Sequence, residues 1–341
     1  MNKKFVVVLV IGIVMLSSHS VLFSQIGFLG GRGLLHVLSA EVVDPWDVYL
    51  NTYFSLYFEK YTPHSLATFY TLFVNGTVGI PHNLELSAHL VPYQDDQEHI
   101  LGRFGNSELS LKYMLPFSGS RFQMGLNLFY KIPTAQEPNV MFENFYTDAA
   151  GLGARALFTF DFSKSGNHPP FKLMTNIGYM DNDLSDAFMD SDIDQLLFGA
   201  GMKFPIRSMQ VYLEYSGELF IHVLDSVPFR ENANRITLGS TFLGPKNLVF
   251  DVAGDIGLAK RLPTPEHGIY HKKLAKWRLW LGLTYRFSVG KYFDPQAKLE
   301  HKKQEEERRK LEMIKEKRKN ANEEMDKLRD ILQEQEQQGE N

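Results

Sequence analysis

From Trp46 to Ser288 apolar and polar residues alternate with period two, the signature of strands with one dry and one wet face. Trp46, Val48, Leu50, Phe54, Leu56 and Phe58 fall on one face. Asp47, Tyr49, Asn51, Tyr53, Ser55, Tyr57 and Glu59 fall on the other. The same alternation marks Phe122 to Tyr130, Leu152 to Phe162 and Trp277 to Phe287. It predicts twelve strands, near 46–59, 66–80, 84–93, 104–115, 121–132, 150–162, 171–180, 194–204, 208–221, 234–243, 247–258 and 276–288. Breaker-rich turns such as 81–83, 117–120, 206–207 and 244–246 alternate with longer links at 94–103, 133–149, 180–193, 222–233 and 259–274. An even number of long antiparallel strands with short turns at one end and longer loops at the other suits a membrane barrel. A soluble sandwich or lipocalin-like barrel also alternates. The aromatics decide between them: Trp46, Phe58, Tyr130, Phe162, Phe171, Tyr179, Phe204, Trp277, Tyr285 and Phe287 stand at the ends of apolar faces, where interfacial girdles belong. The expected fold is all-β and transmembrane, a 12-stranded antiparallel up-and-down β-barrel over 46–288, followed by a C-terminal α-helix.

Ahead of the barrel, Lys3 and Lys4 precede the apolar run Phe5 to Leu16, and small residues at Ser18, Ser20 and Ser24 offer cleavage sites. The run is short of the ~20 residues a spanning helix needs, so 1–24 reads as a secretory signal peptide. Residues 25–45 read as a flexible or partly helical periplasmic lead-in, with Leu34, Leu35, Val37 and Leu38 docking it against the barrel mouth. Gly30-Gly31-Arg32-Gly33 lacks the preceding strand and the following Lys-Ser/Thr of a phosphate loop, and that reading is rejected.

The export signal, the twelve amphipathic segments and the last of them, Gly282-Leu283-Thr284-Tyr285-Arg286-Phe287, resemble a bacterial outer-membrane β-barrel protein, porin-like or of the OmpA type without its peptidoglycan-binding domain. The final segment looks like that family's C-terminal assembly signal, with Trp280 where a polar residue is usual and a tail where the chain ordinarily stops. The resemblance covers about 46–288. It implies residence in a Gram-negative outer membrane, contact with its lipid and insertion by the barrel-assembly machinery.

If the apolar faces meet lipid, the lumen is lined by the acids Asp47, Glu59, Glu85, Glu108, Asp161, Glu214, Glu218, Asp251 and Asp255 and by the bases Lys112, Lys131, Arg155, Lys172, Lys203, Arg235, Arg278 and Arg286. Such a balance argues against rings of one sign and a strongly ion-selective pore. Two readings stay open: a narrow, weakly selective conduit, or an interior closed by ion pairs and the bulky Tyr49, Tyr53, Tyr57, Phe69, Phe73 and Tyr212. Composition agrees with the lack of strong selectivity. Of 36 basic and 40 acidic residues, 12 and 14 lie in 294–341, so the net charge of −4 supplies no pull toward nucleic acid.

Candidate chemistry is sparse. No Cys is present, which excludes disulfides, thiolate metal sites and a Cys nucleophile. His89 near Asp95 and Asp96 is the one nameable acid and His combination, and it supports only a rival reading, a protease- or lipase-like barrel enzyme. His64 with Ser65, or His222 with Asp225, fit exposed loops as well, and His82, His267 and His271 show no metal-ligand grouping. No cofactor is expected.

The tail, 289–341, is dominated by helix formers and carries Glu-first pairs four apart, such as Glu305 with Arg309 and Glu323 with Lys327. Leu311, Ile314, Ala321, Met325, Leu328 and Leu332 trace a coiled-coil seam, flawed at Arg318. It is expected to offer a periplasmic partner, or a second copy of itself, a helical surface.

Overall fold

The computed structural model describes residues 25–290, apart from 63–64, 96–101, 118, 120, 137–142, 144–148, 163–169, 185–193, 207–208, 222–231, 246 and 260–273. The expected signal peptide, the expected tail helix from 291 on and all six seam residues lie outside the described residues. Twelve strands follow in order: β1 Asp47–Thr62, β2 Ser65–Ile80, β3 Leu84–Gln94, β4 Ser107–Met114, β5 Phe122–Ile132, β6 Gly151–Asp161, β7 Lys172–Asp181, β8 Asp194–Ile206, β9 Met209–Ile221, β10 Ala233–Leu243, β11 Leu248–Gly257 and β12 Trp277–Ser288. Each pairs antiparallel with its chain neighbour and β1 closes on β12, giving a barrel without an edge.

Register fixes which residues share a face. Leu111, Leu128 and Ala154 pair in sequence across β4, β5 and β6, all pointing outward, while Lys112, Asn127 and Arg155 pair on the inner face. Outward leucines and isoleucines are widely bare, with Leu238 at 61% and Ile256 at 58% exposed. Inward tyrosines Tyr49, Tyr53, Tyr57 and Tyr212 are buried. An exterior of Leu, Ile, Val and Phe around a polar interior inverts the soluble arrangement and fits hydrocarbon. Aromatics gather at both ends of this belt. Phe58 and Trp277 meet at 5.3 Å where β1 ends and β12 begins, while Phe162, Phe171 and Phe204 stack at the opposite end, with ring centroids 4.3 and 5.8 Å apart. The chain forms a closed, twelve-stranded antiparallel barrel with an apolar exterior.

Irregularities have local causes. Pro92 has no N–H for the β2–β3 ladder, and the register shifts between Leu72 and Val74, so that one residue of β2 faces two of β3. β4 begins at Ser107 rather than near 104, because Arg103 still pairs with Gln94 and the Gly105 amide donates to the Val91 carbonyl at 2.9 Å.

Every cluster of buried apolar side chains lies in the lumen, and most take members from 25–45. The expectation of a lead-in docked at the barrel mouth is therefore corrected: the segment runs inside the barrel. It is neither helical nor strand-like, but a chain of tight turns in which Gly30 and Gly31 take φ of 78° and 80°, a region that suits residues without a Cβ. Polar wall groups give its backbone the partners that water or a helix would otherwise supply, and Ile26, Phe28, Leu34, Leu35 and Val37 bury their side chains at 2% exposure or less. Residues 44–47 form the exit turn. Asp47 N donates to Asp44 O at 3.0 Å around Pro45 and Trp46, the latter at φ 67°, and the chain then enters β1.

Candidate functional site

The lumen is a wall of alternating strand residues wrapped around the 25–45 plug. Its best-anchored point is Glu214 on β9. The consecutive amides of Leu35, His36 and Val37 donate to its two carboxylate oxygens at 2.8, 2.9 and 2.7 Å, a backbone nest closed around one anion. Glu85 on β3 does similar work nearer the exit: it accepts from the amides of Arg32 at 3.0 Å and Val43 at 2.8 Å, and from Lys112 Nζ at 2.8 Å. Lys112 also donates to the Arg32 carbonyl at 3.1 Å. Thr77 and Thr159 accept from the amides of Gly31 and Ala40 at 3.0 and 2.9 Å.

Two further acids hold plug side chains. Asp251 accepts from Gln25 Nε2 at 2.8 Å and from the hydroxyls of Tyr53 and Tyr212 at 2.7 and 2.9 Å. Asp255 lies 3.0 Å from His36 Nε2 and accepts from Thr237 and from the indole N–H of Trp280, both at 2.7 Å. Phe28 packs between these groups, its ring 5.3 Å from Trp280 and 5.6 Å from Phe73. Trp280, an oddity for a final strand, is thus a wall residue shaped to hold the plug.

Charges on the plug find wall partners too. Lys172 and Lys203 face one another across β7 and β8, a like-charge pair, and the plug answers with Glu41. Glu41 lies 2.5 Å from Lys172 and 3.0 Å from Arg32, and Asp161 adds a second contact to Lys172 at 3.2 Å. Burial opposes ionisation of Glu41, but Arg32 and Lys172 outweigh it and hold the carboxyl at about 2, below its ordinary 4.5.

The remaining inward charges divide into two groups. At the turn end Arg286 bonds Asp47 at 2.6 Å, and at the loop end Arg278 grips Glu143 of the 133–150 connection with both terminal nitrogens, at 2.9 and 3.0 Å. Arg235 donates to Ser216 at 3.1 Å. The other four, Glu108, Lys131, Arg155 and Glu218, border a cleft whose floor is the plug residue Leu29. The Glu59 side chain lies outside the described residues. Ion pairs among wall residues thus run between neighbouring strands, while the span of the interior is filled by the plug.

Sequence reasoning missed that filling, together with His36 and Glu143. The signal available was the density of apolar residues at 26, 28, 34, 35, 37 and 38, excessive for a solvated linker.

Among the described residues His89 does not pair with Asp95 as considered for hydrolysis, and Asp96 lies outside the described residues. The His89 ring is buried, with Nδ1 2.6 Å from Asn75 Oδ1 and a stacked contact with Phe73 at 5.7 Å. Among the described residues no group of three His, Asp or Glu side chains is placed to hold a metal ion.

No family model matches the sequence, and neither does any curated protein. Solved structures with similar architecture include the KdgM porin, at 7% identity and TM-score 0.42, covering 70% of this chain and 99% of that one. The NanC porin aligns at 8% identity and TM-score 0.44, over 69% of this chain and 98% of its own. An outer-membrane channel from Pseudomonas putida F1 aligns at 10% identity and TM-score 0.47, over 73% and 98%. The reading of this barrel as a membrane protein rests on its own apolar exterior and aromatic girdles.

Proposed function

We propose that the protein is an outer-membrane channel held shut by its own N-terminal segment, 25–45, and opened when that segment shifts or leaves. The observation that carries this is how the plug is held: its backbone is bonded to wall carboxylates and hydroxyls beside the apolar side chains it buries, with glycines such as Gly199 and Gly201 giving it room. Polar contacts exchange readily for water, so a lumen lined this way is also suited to wetting once the segment moves.

The absence of native Cys allows a direct test. A Cβ built on Gly199 falls 3.9 Å from the Val37 Cβ, within the range a disulfide spans. Val37→Cys with Gly199→Cys should give protein silent in planar bilayers when oxidised and discrete openings when reduced. Equal conductance in both states would show that the segment is no gate, and silence in both would favour an envelope scaffold.

The balanced wall supports weak ion selectivity once the channel is open. The same proposal places the barrel in the outer membrane, inserted by the assembly machinery through β12, with the 289–341 tail in the periplasm as a helix for a partner or a second copy. The seam Leu311, Ile314, Ala321, Met325, Leu328 and Leu332 supports that role for the tail. Leu328→Glu with Leu332→Glu should shift a self-associated full-length protein to monomer in detergent sedimentation; an unchanged mass would exclude self-pairing through the seam.

A further inference from the structure

Four wall charges that contact neither the plug nor one another gather in one place, among the described residues. Glu108 lies second in β4 and Lys131 second from the end of β5, directly opposite one another in register. Arg155 follows on β6, and Glu218 stands on β9 near the 222–232 connection. All four border the cleft above Leu29, at the barrel end that carries the long connections, and each lies within electrostatic reach of the other three.

Their contacts are unusual. Other facing acids and bases in the lumen close into ion pairs, Glu85 with Lys112 at 2.8 Å and Asp161 with Lys172 at 3.2 Å. Here no such pair forms among the described residues. Glu108 is 5% exposed, yet it has neither a hydrogen bond nor an ion pair there. Among the described residues Glu218 accepts only from the neutral Gln195, at 3.0 Å. Arg155 rests its guanidinium on the Phe129 ring at 3.8 Å and donates one N–H to Asn127 at 3.3 Å, which among the described residues leaves donors of its planar fork unused. Burying a charge such as Glu108 without a partner is costly, and four charges that border one cleft without closing into ion pairs among the described residues offer partners to a ligand there.

The sign pattern selects the ligand. A simple anion drawn to Lys131 and Arg155 would meet Glu108 and Glu218, and a simple cation would meet the reverse. Arg235, also at this cleft, is offset by its proximity to Asp255. A molecule carrying both charges a few ångströms apart satisfies all four groups. We propose that this cleft binds a small zwitterion, of the free amino acid or short peptide class, with its ammonium against Glu108 and Glu218 and its carboxylate against Lys131 and Arg155. This names a cargo class for the proposed channel and rests on that reading for its purpose, though not for its geometry. Because Leu29 forms the floor, an occupant touches the plug directly.

The test uses the full-length protein in detergent and isothermal titration with L-alanine and glycylglycine, with acetate and methylammonium as half-ligands. At least one of the two zwitterions should bind saturably, while neither half-ligand binds at the same concentrations. Glu108→Gln and Arg155→Met should each weaken binding at least tenfold, with the barrel retained by circular dichroism. Lys131→Met serves as the second anion-side variant should either fold poorly. Acetate binding as tightly as alanine, affinity undiminished in Glu108→Gln, or no binding of either zwitterion would overturn the proposal. Liposome swelling in alanine separates the two readings: binding without swelling keeps the site and counts against the channel.

Discussion

Glu214 shows how one side chain can organise many atoms. Three consecutive plug amides share its carboxylate, and each buried N–H left without an acceptor costs about 1–3 kcal/mol. Glu214→Gln replaces one acceptor oxygen with a donor that opposes them. Hydrogen exchange at Leu35, His36 and Val37 should accelerate at least tenfold while the β9 ladder keeps its protection; unchanged exchange would mean that the nest does not anchor the plug. Glu41 makes a pH-dependent contribution. Its carboxyl is held at about 2 against 4.5 when free, so its hold on Arg32 and Lys172 is complete above about pH 4.5 and is lost as pH falls toward 2. Protease cleavage within 25–45 should therefore rise between pH 4.5 and 3, and Glu41→Gln should already show raised, flat susceptibility across that range. Period two was enough to turn Glu214 inward from sequence. Its partners were not legible, because a backbone amide leaves no mark in the residue alphabet.

Strands and plug differ in what made them readable. A lipid-facing strand must repeat every second residue, and β1, β5, β6 and β12 fell within a residue or two of their expected starts for that reason. The plug has no period. Its apolar residues at 26, 28, 34, 35, 37 and 38 fit neither helix nor strand, because each answers to a different stretch of wall. What the sequence did contain was the complement of its shape, in inward glycines. Gly79 on β2 is covered by the carbonyls of Val43 and Asp44 where the plug leaves for β1, and a Cβ there would meet backbone. Gly79→Leu should leave the barrel formed but displace the exit of the segment, producing larger and more frequent conductance steps than wild type. A variant as silent as wild type would mean that the exit path tolerates the bulk.

At the scale of the molecule, the plug and the barrel can be followed by a single optical reporter. Of the three tryptophans, Trp277 is 41% exposed in the lipid-facing girdle and Trp46 sits in the exit turn, whereas Trp280 is 1% exposed and packs on Phe28 and His36. With Trp46→Phe and Trp277→Phe, the remaining emission should be blue-shifted in the closed protein and move to the red when Gly79→Leu or acid displaces the segment. Constant emission under conditions that open the channel would show that the plug stays in place.

The plug's contacts also set an order of events. Gln25 reaches Asp251 across 226 residues, His36 reaches Asp255 across 219, and the Leu35 amide reaches Glu214 across 179. The first stretch of the described chain therefore completes its contacts only once the last strands are in place. Closure of such distant contacts is slow. The barrel is thus wound around its own beginning, and that beginning finds its full set of partners only in the finished barrel.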